Sequence, residues 1–229
     1  VRLDRCRGKG LRMGGDLPKQ FIPMRGKPLL MHTLEAFHRW DASARIILVL
    51  PEDHQPYWNM LCKEIGCKVP HAIVKGGDTR FFSVKNGLDW LLAERRRKGE
   101  EDSGLSLVAV HDGVRPFVSP EVVEACFDKA AVTGAVIPVV PMIDSLRETD
   151  EKGSHPVDRS RYMAVQTPQV FLLELLTKAY EQPYSSLFTD DASVVEAMGH
   201  AIDTVPGDRE NIKITTPFDL LIAEAMFAR

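Results

Sequence analysis

The chain has 229 residues, 44% of them apolar and 27% charged, and carries a formal net charge of -3. That is enough apolar material to bury a sizeable core in one domain, or in one domain with an appendage. The charge balance asks for no nucleic acid and no anionic membrane as partner, and no apolar run approaches a membrane span or an export signal.

Taken in chain order, short branched apolar runs alternate with helical patterns. Pro28 can open a helix in which Leu30, Leu34 and Phe37 share a face. Residues 45–50 read as a buried strand closed by Pro51. Val84, Leu88 and Leu91 mark a second helix, and the dense charge run at 94–102 reads as a solvated face or loop at its end. Residues 105–110 form a second strand. Ser119 and Pro120 are a cap and a first-turn proline ahead of Val122, Val123 and Cys126. Residues 135–140 form a third strand, with Pro138 arguing for an edge or irregular position. Near the end, Thr216, Pro217 and Asp219 combine a cap, a first-turn proline and an acid, opening a last helix through Leu220, Leu221, Ala223 and Met226.

This alternation predicts an α/β fold with a mostly parallel central sheet flanked by helices. The segment 142–162 breaks the rhythm, being polar, turn-rich and without a helical stripe. A structureless loop of that length is unusual in a compact domain, so a protruding β-arm, inserted in a single domain spanning 1–229, is the better reading. Its polar composition makes sense if two copies exchange arms around a twofold axis. Of the four cysteines, Cys6, Cys62, Cys67 and Cys126, only two are close in sequence, and they complete no zinc pattern. Reduced thiols in a cytoplasmic protein fit them, and the seven histidines read mostly as surface or packing residues.

Three clusters carry chemistry. Residues 8–19 hold four glycines (Gly8, Gly10, Gly14, Gly15) and three cations (Lys9, Arg12, Lys19). Glycines let backbone N–H groups turn toward an anion, and the cations supply countercharge. The spacing is neither a P-loop nor a dinucleotide fingerprint, so a flexible surface loop with scattered cations stays open beside phosphate binding. His111-Asp112-Gly113-Val114-Arg115-Pro116 follows a predicted strand, where open α/β sheets hold their ligands. Asp112 either holds a metal bound to phosphates or caps the next turn. Asn211-Ile212-Lys213-Ile214-Thr215 places a lysine on a predicted strand in apolar company, meeting either an anion or, as a snorkelling edge lysine, water.

Seven motifs in order then carry a resemblance: Gly8-x-Gly10-x-Arg12-Met13, Leu17-Pro18-Lys19-Gln20, Gly76-Gly77-x-x-Arg80-x-x-Ser83-Val84, His111-Asp112-x-x-Arg115-Pro116, Thr167-Pro168-Gln169, Thr189-Asp190-Asp191-Ala192-Ser193 and Asn211-Ile212-Lys213-Ile214-Thr215. The chain resembles the 2-C-methyl-D-erythritol 4-phosphate cytidylyltransferase family, with its Rossmann-like nucleotidyltransferase fold. The resemblance implies transfer of CMP from CTP to 2-C-methyl-D-erythritol 4-phosphate, with release of pyrophosphate and with Mg²⁺ as cofactor. It implies that Gly8, Gly10, Arg12 and Lys19 wrap the triphosphate, and that Gly76, Gly77, Asp78, Arg80 and Ser83 line the cytosine and ribose side. Asp112 would contact the metal, Arg115 would order its turn, and Lys213 would bridge the acceptor phosphate and the α-phosphate. Thr167 would sit beside the substrate, while Ser145 and Arg159 would reach the acceptor phosphate from the partner's arm in a homodimer. Such chemistry needs no strong general base, because the attacking phosphate oxygen is already charged.

The opening Val1-Arg2-Leu3-Asp4-Arg5-Cys6-Arg7 departs from the family's hydrophobic first strand. Charges at Arg2, Asp4 and Arg5 are unsuited to the centre of a parallel sheet, and Arg7 stands where a small residue is expected. This predicts a lost or altered first strand, or a chain that does not begin at its natural start. Weakened CTP binding would follow. Ribitol 5-phosphate cytidylyl transfer is the alternative activity, against which Ser193 weighs. A catalytically silent protein of the same fold, or another nucleotide function such as guanylyl or adenylyl transfer, completes the alternatives.

Overall fold

The computed structural model describes residues 2–5, 17–100 and 104–228, the first group by backbone alone. Strand β1 is Arg2–Arg5; β2 (Pro23–Met24) and β3 (Lys27–Pro28) form a small ribbon leading into α1 (Leu29–Trp40). There follow β4 (Ile46–Leu50), α2 (Gln55–Ile65), β5 (Ala72–Lys75), α3 (Arg80–Lys98), β6 (Leu107–Asp112), α4 (Pro120–Thr133) and β7 (Ala135–Pro141). The chain continues through β8 (Leu146–Asp150), β9 (Gly153–Val157), β10 (Met163–Val165), β11 (Gln169–Leu172), α5 (Leu173–Ala179), α6 (Asp191–Glu196), β12 (Asp203–Pro206) and α7 (Pro217–Phe227).

Strand periodicity explains the layering. In β4 every residue is buried. Ile47 and Val49 pack with Val84, Leu88 and Leu91 of α3 on one face, whereas Ile46, Leu48 and Leu50 pack with Leu30, Leu34 and Phe37 of α1 and Trp58 of α2 on the other. The caps act as the sequence predicts: the Ser119 hydroxyl accepts from the Val122 N–H, and Thr216 and Asp219 form a capping box.

The main sheet runs β10-β7-β11-β6-β1-β4-β5, with β12 also on β7. Strands β5, β4, β1 and β6 are mutually parallel, β12 is parallel to β7, and β10 and β11 are antiparallel to their neighbours. After β1 the chain builds outward through β4 and β5, then returns to the other flank of β1 with β6. That reversal opens a crevice at the carboxyl ends of β1 and β6.

Two expectations, on the first strand and on Lys213, need correction. The first strand is not lost: the backbone of residues 2–5 pairs in parallel with both β4 and β6 at the sheet's centre, so pairing on two flanks overrides the charge pattern. Of the two positions that Pro138 allowed, edge or irregular, it takes the irregular one, since β7 has neighbours on both sides. It falls where the partner on one side changes from β11 to β10, a break that needs no N–H from residue 138. Lys213 is not on a strand; residues 211–215 are irregular. The last helix runs through Leu220, Leu221, Ala223 and Met226 as expected, with Ala223 buried and Leu221 63% exposed.

Within 142–162, β8 and β9 pair with each other and, among the described residues, with no other strand. The hairpin is exposed along almost its whole length. In the charge run that ends α3, residues 96–99 are exposed as expected, while Glu100 accepts from Arg45 at 2.9 Å and Arg95 donates to the Ser106 hydroxyl at 2.8 Å.

Candidate active site

The carboxyl end of the sheet gathers Asp112, Arg115, Thr167 and Lys213 from among the motifs' described residues. Asp112 is the last residue of β6, and its register partner is Arg5, the last residue of β1. Gly8, Gly10 and Arg12, which follow β1 in sequence, lie outside the described residues. The chain re-emerges at Leu17, and Lys19 opens a short 3₁₀ turn whose next two residues, Gln20 and Phe21, are buried.

Asp112 is the electrostatic centre. Its Oδ2 lies 3.0 Å from Lys213 Nζ and 3.2 Å from Arg115 Nε. Burial alone would raise the carboxyl, but the charges of Lys213 and Arg115, with Arg80 farther off, hold it well below the ordinary carboxylate range. Lys213 reaches it because Ile212 and Ile214 face the apolar cluster around Met24, Leu29 and Ala223. The alternation expected of a strand thus survives without one.

Hydrogen bonds fix this centre from three distant segments. Arg115 donates through its guanidinium to the Asn211 carbonyl at 2.7 Å. The Asn211 amide donates to the Thr167 carbonyl at 2.9 Å. The Asp112 N–H donates to Thr167 Oγ1 at 3.1 Å, and that same oxygen is 3.1 Å from His111 Nδ1. Thr167, His111 and Asn211 are all buried.

A second group surrounds the turn after β5. The Gly76 N–H donates to the Leu50 carbonyl at 2.7 Å, bending the turn back over the end of β4. A Cβ on Gly77 would stand 2.5 Å from Phe82 Cβ, so the turn closes onto α3 only with glycine there. Ser83, buried in the first turn of α3, accepts from the Gly77 N–H at 3.1 Å and donates to the Thr79 carbonyl at 2.9 Å. Arg80 pairs with the fully buried Asp191, to which Tyr180 also donates its hydroxyl. Asp78 lies in the same turn, between the glycines and α3.

Asp191, Gln169, Asn211 and His111 sit inside the motifs but had no role foreseen from the sequence. The Gln169 side-chain oxygen accepts from the N–H groups of Asp191 and Ala192, and its amide donates to Asp190, which caps α6 with Ser193. The Thr-Pro-Gln and Thr-Asp-Asp-Ala-Ser motifs are thus one interlocked unit. Their polar residues amid apolar runs were the available signal. Ser145 and Arg159 stand apart at the base of the hairpin, both exposed in the single chain, with Arg159 donating to the Ile143 carbonyl.

No group of three or more ligating His, Cys, Asp or Glu side chains occurs among the described residues. The carboxylate fits the usual Mg²⁺ arrangement nonetheless, in which one or two carboxylates act with substrate phosphates and water. Oδ2 is taken by the two cations, and Oδ1 has no bonded partner among the described residues.

A mostly parallel sheet whose switch point gathers a buried carboxylate and cations fits an α/β nucleotidyltransferase, the class to which the chain belongs. Residues 5–229 match the family model described as IspD: 2-C-methyl-D-erythritol 4-phosphate cytidylyltransferase, and the chain belongs to that family. A Bacteroides fragilis protein of that name is 55% identical over 219 residues, 96% of this chain and 95% of its own length. One from Porphyromonas gingivalis is 51% identical over 221 residues, 96% of this chain and 93% of its own. Among solved structures, the Thermus thermophilus cytidylyltransferase of that name superposes with TM-score 0.74 at 31% identity, covering 100% of this chain and 98% of that one. The Anaerococcus prevotii 4-diphosphocytidyl-2C-methyl-D-erythritol synthase gives TM-score 0.78 at 27% identity, covering 100% and 95%.

Proposed function

We propose that the carboxyl end of β1 and β6 is where this chain transfers the cytidylyl group of CTP to 2-C-methyl-D-erythritol 4-phosphate. The observation that carries the reading is the Lys213–Asp112 pair, 3.0 Å apart, beside the carboxyl end of β1. In the reaction an oxygen of the acceptor phosphate attacks the α-phosphorus of CTP. The bond from that phosphorus to the β-phosphate oxygen breaks, and pyrophosphate departs. Both phosphates are negative, so the task is to bring them together and carry charge on the equatorial and leaving oxygens.

Lys213 would lie between the acceptor phosphate and the α-phosphate, with Arg12 and Lys19 on the triphosphate. Asp112 would hold Mg²⁺ through Oδ1, and the bound ion supplies Lewis-acid stabilisation of phosphate charge. Arg115 holds the carboxylate in place, and Thr167 lines the acceptor side. Gly76, Gly77 and Asp78 would meet the nucleoside through the turn's backbone. Ser83 and Arg80, whose polar groups are engaged by Gly77, Thr79 and Asp191, support that turn from beneath. Ser145 and Arg159 would complete the acceptor site of a second copy if the β8–β9 arms exchange in a homodimer. Exposed Ile143, Tyr162, Met163 and Val165 beside the arm supply apolar surface for such a contact. A cytoplasmic setting, with its supply of CTP, belongs to the same proposal.

The test is pyrophosphate release from CTP and Mg²⁺ with 2-C-methyl-D-erythritol 4-phosphate or D-ribitol 5-phosphate, using wild type and Lys213→Met. Release with the first acceptor only is expected, falling roughly 10²- to 10³-fold in kcat on losing the lysine. Preference for ribitol phosphate, or a variant within about threefold of wild type, overturns the reading.

A further inference from the structure

His111 is the penultimate residue of β6, 1% exposed, with its ring edge-on to Phe37 at a centroid distance of 4.9 Å. Filling space would explain a ring there, but not its two polar contacts. Nε2 lies 3.1 Å from the Arg115 carbonyl, which can only accept, so Nε2 carries the hydrogen. Nδ1 lies 3.1 Å from Thr167 Oγ1, the oxygen that accepts from the Asp112 N–H. The threonine hydroxyl, having accepted once, still has its own hydrogen to place, and Nδ1 receives it. One assignment of hydrogens satisfies the whole chain.

The chain also closes into a ring. Arg115, whose carbonyl takes the His111 hydrogen, gives its guanidinium to Asp112 and to the Asn211 carbonyl. Asn211 returns through its amide to the Thr167 carbonyl. His111 thus links the two ends of the turn that presents Asp112, and it does so with one donor and one acceptor.

We propose that His111 is a positioning residue for the cytidylyl transfer: through Thr167 and Arg115 it fixes the direction in which Asp112 faces Lys213. This rests on Asp112 and Lys213 serving the reaction proposed above. An apolar replacement leaves the Thr167 hydroxyl without its acceptor and the Arg115 carbonyl without its donor. Asparagine can set an amide oxygen near the position of Nδ1, keeping the link to Thr167.

The experiment measures kcat, KM for CTP and calorimetric CTP affinity for wild type, His111→Phe, His111→Asn, Thr167→Val and the Phe/Val double variant. Each is assayed well below its own melting temperature. Phe and Val are expected to lower kcat roughly 10- to 100-fold with CTP affinity little changed. Asparagine should recover most of the loss, and the double variant should be no worse than either single, since both break one chain. A Phe variant within about twofold of wild type, an Asn variant no better than Phe, or losses that multiply in the double, would each overturn the inference. A wild-type chain that releases no pyrophosphate overturns the functional reading and this inference with it; an active wild type with an unaffected Phe variant overturns the inference alone.

Discussion

Replacing Arg80 by methionine separates support of the nucleotide turn from direct contact with CTP. The Arg80 side chain is 16% exposed and its partner Asp191 fully buried, so the substitution leaves a carboxylate in the interior without its cation. Removing one partner of a buried ion pair costs about 3–5 kcal/mol. Tyr180 still donates its hydroxyl to that carboxylate, which places the expected loss near the lower end, about 3 kcal/mol. In a chain of this length each kcal/mol moves the melting temperature by roughly 2–4 °C, so a fall of roughly 6–12 °C is expected. Tyr180→Phe removes one charge-assisted hydrogen bond and should cost less, about 1.5–3 kcal/mol. The assay is thermal unfolding beside CTP kinetics on the same preparations. An Arg80→Met protein that melts within about 2 °C of wild type, yet shows a raised KM for CTP, would refute the reasoning. Arg80 would then be a nucleotide ligand whose pairing with Asp191 contributes little.

Two further predictions follow from local geometry. Gly77→Ala must push Phe82 or the turn aside, because the new Cβ would stand 2.5 Å from Phe82 Cβ; a loss of about 1–3 kcal/mol in chemical denaturation is expected, while Gly76→Ala, with nothing nearer than 3.4 Å, should cost less. His71 accepts from the Trp58 indole at 3.0 Å and donates Nδ1–H to the Val69 carbonyl at 2.8 Å, and burial lowers its pKa below 6.5. The unfolded chain then takes up the proton first, so this contribution is whole above pH 6.5 and is lost as pH falls below it. Urea midpoints at pH 7.5 and near 5.5, compared with those of His71→Gln, should show a shallower pH dependence in the variant; equal slopes would refute it.

What was legible in the sequence follows from how far each signal reaches. Helices such as α1, with its buried stripe, and α4, with a capping serine as well, carry their whole signal locally, and so did the all-apolar β4. Strand β1 did not, because four residues held by backbone bonds on both flanks need no apolar pattern to be a strand. Strands β10, β11 and β12 gave no distinct signal, being short and read mainly through their pairing with β6 and β7. In the site, charged residues within motifs were visible: Asp112, Arg115 and Lys213 meet although 101 positions separate the first from the last. The supporting roles of His111 and Asn211 were not, since with Thr167 they contribute hydrogen-bond directions that exist only after three segments converge.

The same geometry explains why the carboxylate at the centre is held by unequal partners. Arg115 is bound at both ends, to Asp112 and to the Asn211 carbonyl, and is nearly buried. Lys213 is 44% exposed and reaches Asp112 as a single ammonium at the end of a flexible stem. If an incoming phosphate draws Lys213 away, Asp112 keeps Arg115 and is never left as an unpaired buried charge, the state that costs most. The fixed cation stabilises the carboxylate, and the exposed one can turn toward the substrate at little cost. Exchanging the two environments, rather than merely their charges, is what a lysine at position 115 would do: it would lose the fork that spans Asp112 and Asn211 and loosen the site even though its net charge is unchanged.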